Sequence, residues 1–341
     1  MGVTIKIGIV TAPKIEWEQH ERTFLLKNVR IGIGFHWDRT EDQEFEGELE
    51  IRNNPDGTQT AINAIDLEDY LCSVISSEMN ADSPMELLKA HAVISRSWAL
   101  RAMAHPYHEG FDVCGDDHCQ RYEGIRRMNS RAVEAVRATR EQVLMFNGEI
   151  CDCRYYKCCG GRTEIWRTCW EDIDVPYIQS VECDWCKNPS PKILRLVLND
   201  YDQETKDFRD WQVTYTADEL SEIIRTKSGI DFGEITDLIP LHRGESGRID
   251  QLKIVGTKHT EIIGKELKIR LWLSRSCLYS SWFDVKKSLN PHSLTFHLTG
   301  HGWGHGAGLC QIGAAMMASE GKTYEEILSY YYPNTQLNIG N

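Results

Sequence analysis

The spacing of apolar residues changes at Asp66, and that change limits the folds open to the chain. Before it, apolar and polar side chains alternate: Val3, Ile5, Ile7 and Ile9 open the chain, and residues 25–33 and 45–51 repeat the pattern. Asn54-Pro55-Asp56-Gly57 supplies a turn. A period of two predicts strands. After Asp66, Leu67, Tyr70, Leu71, Val74 and Ile75 recur at helical spacing, so Asp66 is expected to cap a helix that ends near Ser76-Ser77-Glu78-Met79. A second helix is predicted to follow at once. Ser83-Pro84-Met85-Glu86 reads as a capping box with proline at the first helical position, and Leu88, Ala92, Ser95, Ala99 and Ala102 form a stripe of mostly small residues. Such a stripe admits a closely packed neighbour.

The remainder mixes both periods. A third helix is expected near residues 131–137, then a hairpin in which Asn147-Gly148 joins strands at residues 142–146 and 149–156. Thr216-Ala217-Asp218-Glu219 begins a boxed helix closed by Gly229, and residues 249–273 read as strands. The glycine-rich run 300–308 is expected to open a helix over 309–319, and Thr323 with Glu326 caps a last helix that Pro333 stops. There is no internal repeat and no regular β-α alternation. The fold class is therefore α+β, mixed helices and antiparallel sheet with a cleft between a helix-rich part and β-rich parts. Residues 1–61 are expected to form a β-rich N-terminal segment and residues 62–341 the main domain.

Charge removes one class of partner. With 38 Lys and Arg against 51 Asp and Glu, the formal balance is −13, and no stretch concentrates enough basic residues to neutralise a run of phosphates. Nucleic acid is set aside. No apolar run approaches the roughly 18 residues of a bilayer span, so no transmembrane segment is expected, and the opening residues read as a strand rather than as an export signal.

Four groups of residues carry possible chemistry. Glu78 lies at the junction between two predicted helices, where desolvation would raise its pKa and suit it to donate a proton; the plain alternative is a helix-end acid in water. Cys114-Gly115-Asp116-Asp117-His118-Cys119 packs two thiols and an imidazole into six positions, which suits tetrahedral zinc with a fourth ligand from His108, His105 or another cysteine. A local Cys114–Cys119 disulfide is the alternative, and Asp116 and Asp117 would either orient His118 or serve as turn acids. Cys183-Asp184-Trp185-Cys186 is a CxxC, for which Cys151, Cys153, Cys158, Cys159 and Cys169 are possible partners in a second metal site or in disulfides. Finally, Gly302-Trp303-Gly304-His305-Gly306-Ala307-Gly308 fails as a dinucleotide fingerprint but allows close backbone approach to a ligand, with Trp303 and His305 as a stacking face and a polar tip. Cys310 behind it is read as a buried structural thiol in preference to a nucleophile.

Taken together, LEDYLCSVISSEM, LLKAHAVISRSWALRAM, FDVCGDDHCQRYEG, YYKCCGGRTE and GHGWGHGAGLCQIGAAMMASEGKTYEEILSYYYPNTQL resemble the SpoIID/LytB family of peptidoglycan lytic enzymes and amidase enhancers. The resemblance runs in order from about residue 62 to the end, with little from about 190 to 245. It implies that Glu78 is the catalytic acid, that Cys114, His118 and Cys119 with His108 hold a structural zinc, and that Arg96, Gln120, Tyr122, Thr163, Trp303, His305 and Gln311 line a sugar cleft. The chain departs from the family pattern at Cys310, where serine is usual before glutamine, and at Lys157-Cys158-Cys159, where a serine-rich stretch is usual.

The activity implied is that of a lytic transglycosylase cutting the MurNAc–GlcNAc bond of peptidoglycan glycan strands to leave 1,6-anhydroMurNAc ends. Such a route needs one acid rather than the paired carboxylates of ordinary glycosidases. The other implied reading is a non-catalytic, wall-binding amidase enhancer with a cell-wall amidase as partner. Either places the protein in the cell envelope or periplasm.

Overall fold

The N-terminal alternation becomes β1 (Thr4–Ala12), in which Ile5 and Ile7 are fully buried. In this computed structural model, which describes residues 2–33, 38–80, 82–116, 118–198, 209–290 and 293–339, five further strands follow before the first helix. They are β2 (Trp17–Gln19), β3 (Thr23–Ile31), β4 (Arg39–Glu46), β5 (Glu48–Asn53) and β6 (Gln59–Asp66). β2, β3 and β4 pair antiparallel in one sheet. A second sheet has the order β5-β6-β1-β7, where β7 (Val113–Cys114) lies parallel to β1 and the other pairs are antiparallel. The alternating stretch at residues 45–51 is thereby split between two sheets. Its hinge is Gly47, at φ +88°, where a Cβ would lie 2.4 Å from the Ala64 carbonyl oxygen.

Strand β6 runs straight into α1 (Leu67–Glu78), whose first turn is capped by the Asp66 carboxylate accepting the Glu68 N–H at 2.9 Å. The central helix is α2 (Met85–Ala104), whose Ala92, Ser95 and Ala99 are wholly buried. The expected box at its start does not form. Pro84 occupies the cap position, Ser83 Oγ donates to the Leu196 carbonyl at 2.9 Å, and Glu86 accepts the Tyr324 N–H at 2.8 Å. Next come α3 (Ser130–Ala138) and the hairpin β8 (Gln142–Phe146) and β9 (Glu149–Ile150), joined through Asn147 at φ 50° and Gly148 at φ 82°. The second strand of the hairpin ends at Ile150, earlier than expected, because β10 (Tyr155–Tyr156) pairs elsewhere. α4 (Trp166–Cys169), a 3-10 turn (Asp184–Cys186) and α5 (Pro191–Val197) complete this part.

A second hydrophobic core lies within residues 211–298, centred on Trp211, Leu220, Ile224, Leu252, Ile254, Phe296 and Leu298. It is built from β11 (Asp210–Thr216), α6 (Ala217–Ser228), β12 (Ile235–Arg243), β13 (Ile249–Gly256), β14 (Thr260–Ile263), α7 (Glu266–Trp272), β15 (Phe283–Asn290) and β16 (Ser293–His301). The sheets run β11-β16-β15 and β12-β13-β14. α6 carries the expected reciprocal capping box and ends at Gly229 in the left-handed region. The end of the 249–273 stretch is helical, since α7 buries Ile269 together with the Glu266–Arg270 ion pair at 3.3 Å.

The chain then returns to the first core. β17 (Leu309–Cys310) lies parallel to β10, α8 (Gln311–Ser319) and α9 (Tyr324–Tyr331) pack on α2, and β18 (Gln336–Ile339) adds to β8. The helix after the glycine run therefore starts at Gln311 rather than at Leu309. Gly308, at φ +84°, shows why the run needs glycine: a Cβ there would lie 2.1 Å from the Arg154 carbonyl oxygen.

Candidate active site and metal centre

Glu78 is the last residue of α1 and is partly buried. Its Oε1 accepts the backbone N–H of Arg121 at 3.0 Å and the hydroxyl of Tyr155 at 3.1 Å. Two donors from different segments fix the orientation of that carboxyl oxygen. Burial and the neighbouring Glu78 charge hold the Tyr155 phenol well above its ordinary pKa, so the ring stays a hydrogen-bond donor.

From Tyr155 the network runs inward. The ring meets the edge of His91 at a centroid distance of 4.3 Å, and His91 Nε2 lies 3.1 Å from the Gln311 side-chain nitrogen. The other His91 nitrogen pairs with Ser95 Oγ at 3.2 Å. Burial depresses the His91 pKa to about 3, which keeps the imidazole neutral and lets Nε2 accept from the Gln311 amide. Gln120 joins from the other side, its Oε1 accepting from the Tyr70 hydroxyl at 3.1 Å and its amide donating to the Ser95 carbonyl at 3.4 Å. Tyr155 and His91 were not singled out by sequence, although both lie inside the quoted motifs. The only local signal was a histidine on the small-residue stripe.

Gln120 and Gln311 therefore join the surroundings of Glu78, while the polar atoms of the other residues named from the motifs are engaged as follows. Arg96, 1% exposed, forms a bidentate pair with Glu68, both contacts at 2.7 Å, and also donates to the Gln142 carbonyl at 3.1 Å. Buried Tyr122 gives its hydroxyl to Asn63 Oδ1 at 2.6 Å. Thr163 bridges the Gln179 carbonyl at 3.0 Å and the Val181 N–H at 2.7 Å. All three turn their polar atoms into the protein. Trp303 is also buried, with its backbone paired to Cys158 and its ring edge-on to Tyr279. His305 donates from Nε2 to the Tyr155 carbonyl at 3.0 Å and accepts the Ala307 N–H at Nδ1 at 3.1 Å, so both ring nitrogens are committed. Burial and nearby Arg154, Arg270 and Arg248 keep this imidazole neutral. Two surface concavities, one lined by Glu68, Asp69, Cys72 and Arg137 and one by Glu41, Asp42, Glu123 and Arg127, contain neither Glu78 nor its partners.

His108, Cys114, His118 and Cys119 converge so that one donor atom from each lies within 4.8 Å of the others. His108 Nε2 is 3.2 Å and His118 Nδ1 3.5 Å from Cys119 Sγ. His105 is outside the group. Two thiols and two imidazoles at this separation fit the tetrahedral requirement of zinc. The contact with Cys119 and that with His118 draw the Cys114 thiol below its ordinary pKa against the effect of burial. Asp116 acts as a tether, accepting the Gly32 N–H at 2.8 Å, while Asp117 lies outside the described residues. The loop also reaches the acid, because Arg121, whose N–H holds Glu78, follows Cys119 by two positions. Cys310 is fully buried and caps α8 by accepting the Gly313 N–H at 3.3 Å, a structural role of the kind read from the sequence.

Comparisons with known proteins place the chain in a family. The profile of Stage II sporulation protein matches residues 55–146, and that of a Domain of unknown function (DUF8618) matches residues 164–308. An uncharacterized protein of Brachyspira hyodysenteriae is 32% identical over 276 residues, 81% of this chain and 67% of that protein. Stage II sporulation protein D of Bacillus subtilis is 29% identical over 295 residues, covering 82% and 76% of the two chains. The Amidase enhancer of the same organism is 27% identical over 297 residues, covering 78% of this chain and 40% of that one. The chain belongs to the cell-wall-related SpoIID/LytB family.

Proposed function

We propose that the protein is a lytic transglycosylase that cleaves the MurNAc–GlcNAc bond of peptidoglycan glycan strands in the cell envelope, with Glu78 as its single acid and base. The observation that carries this reading is the Glu78 carboxyl, held at a helix end by the Arg121 amide and the Tyr155 hydroxyl. In the first step the Glu78 carboxyl gives its proton to the glycosidic oxygen as the bond from MurNAc C1 to that oxygen breaks. The Tyr155 hydroxyl steadies the carboxylate that results. In the second step the carboxylate takes the proton of the MurNAc 6-hydroxyl while O6 bonds to C1, closing the 1,6-anhydro ring and restoring the acid. No water is consumed.

Neutral His91, itself held by the Gln311 amide, packs against the Tyr155 ring, and His305 holds the Tyr155 carbonyl. The His108, Cys114, His118 and Cys119 set would hold a structural zinc whose contribution is to fix the loop that ends at the Arg121 amide. Glu78→Gln keeps shape and hydrogen bonding but removes the titrating proton. It should abolish cleavage of purified strands while strand co-sedimentation stays within about two-fold; full activity in that variant would overturn the reading. The likeness to an amidase enhancer supports a second reading, a wall-binding module. Unaltered strands together with stimulation of an added amidase would favour it.

A further inference from the structure

We propose that Cys159, Cys183, Cys186 and Cys310 form a buried tetrathiolate site for one zinc ion that staples the root of the second core to the helix bearing Gln311. The four sulfurs lie within 4.8 Å of one another, and all four residues are fully buried. Cys159 Sγ and Cys186 Sγ are 3.0 Å apart. A zinc ion with four bonds of about 2.3 Å places its sulfurs roughly 3.8 Å from each other, so a slight adjustment seats one ion. An iron–sulfur cluster interposes inorganic sulfide and needs its cysteines farther apart.

The surroundings are those of thiolates. Cys310 Sγ accepts the N–H of Cys159 and that of Gly313, each at 3.3 Å, and Cys159 Sγ accepts the Gly161 N–H at 3.3 Å. Cys183 Sγ is 3.2 Å from the Tyr331 hydroxyl. Cys310 also sits at the positive end of α8. Such donors offset the negative charge that four thiolates leave on a divalent ion. Gly313 makes room for the group: a Cβ there would lie 2.2 Å from Tyr331 Oη and 2.8 Å from Cys183 Sγ. The buried Arg248 guanidinium donates to the Cys159 carbonyl at 3.3 Å and adds positive charge beside the cluster.

The ligands come from the turn after β10, the CxxC turn and the start of α8, so the whole second core lies in the chain between Cys186 and Cys310. An ion there closes that loop at its base. It also fixes Cys310, next to Gln311, whose amide holds His91. The inference is independent of the transglycosylase reading.

The test is metal content and coordination in protein purified without added metal. Zinc should persist at about one equivalent in Cys114→Ser/Cys119→Ser and fall to near zero when Cys186→Ser is added. An unchanged zinc content after adding Cys186→Ser would overturn the proposal. X-ray absorption on the wild type covers the case in which a variant fails to fold. An average of about three sulfurs and one nitrogen per zinc, or more sulfur, is expected. Two sulfurs and two nitrogens, stoichiometric iron in place of zinc, or a disulfide within the quartet by peptide mapping would overturn it.

Discussion

Arg96 separates a residue that binds substrate from one that holds the fold. Its guanidinium makes two contacts of 2.7 Å to Glu68 and further bonds to main-chain carbonyls, with 1% of its side chain exposed against 16% for Glu68. Replacing it by Met keeps most of the apolar stem and leaves the Glu68 carboxylate without its partner. Breaking a pair buried to this degree costs about 3–5 kcal/mol, far above the 0–1 kcal/mol of exposed pairs. An unfolding entropy of roughly 2.1 cal/mol/K per residue over the 341 residues gives about 0.7 kcal/mol per kelvin, so Arg96→Met should lower Tm by about 4–7 °C. Adding Glu68→Leu removes the stranded charge and should recover more than half of the loss. Thermal melts of the single and double variants, alongside co-sedimentation with glycan strands at a temperature where each is folded, decide the matter. A variant with Tm within about 1 °C of wild type and strongly weakened strand binding would refute the reasoning and return Arg96 to the cleft.

Two further variants probe the network behind Glu78. Tyr155→Phe keeps the ring against His91 but removes the donor 3.1 Å from Glu78 Oε1; a hydrogen bond to a charged group is worth about 1.5–3 kcal/mol, so strand cleavage should fall by about 10- to 150-fold with binding unchanged. Turnover within two-fold of wild type would remove Tyr155 from the mechanism. His91 titrates near 3 when folded and near 6.5 when unfolded, so below about pH 6.5 the unfolded chain binds a proton that the folded one does not. Stability should therefore fall with pH between about 6.5 and 3, by up to about 1.4 kcal/mol per unit from this group. Urea melts at several pH values should show a shallower acid decline for His91→Gln than for wild type, and parallel curves would contradict the assignment.

What sequence revealed was mostly local. The Asp66 cap, the Thr216 and Thr323 boxes and the Asn147-Gly148 turn are fixed by residues within a few positions, and each forms. Ser83 failed because its hydroxyl found the Leu196 carbonyl, 113 positions away. Glu78 was legible as a junction acid, and the Cys/His loop as one compact ligand set with His108 among its candidate fourth ligands, which is the residue that converges on it. Tyr155 was not, since it meets Glu78 across 77 positions and carries no charge or pattern of its own. Motif membership placed Arg96, Tyr122 and Thr163 among the site residues because a motif does not report which way a side chain points. The cysteine quartet was partly visible: the CxxC was plain and Cys159 stood among its possible partners, but Cys310, far from it in sequence, presented itself only as a small buried residue.

The central claim, that Glu78 alone carries both proton transfers and that no water enters the product, is tested most directly by mass spectrometry of purified glycan strands cleaved in water enriched in oxygen-18. The account predicts 1,6-anhydroMurNAc ends without label, formed by the wild type and absent with Glu78→Gln. Reducing ends carrying one oxygen-18 would show that water is the acceptor, and strands left intact by the wild type would show that this protein binds the wall without cutting it.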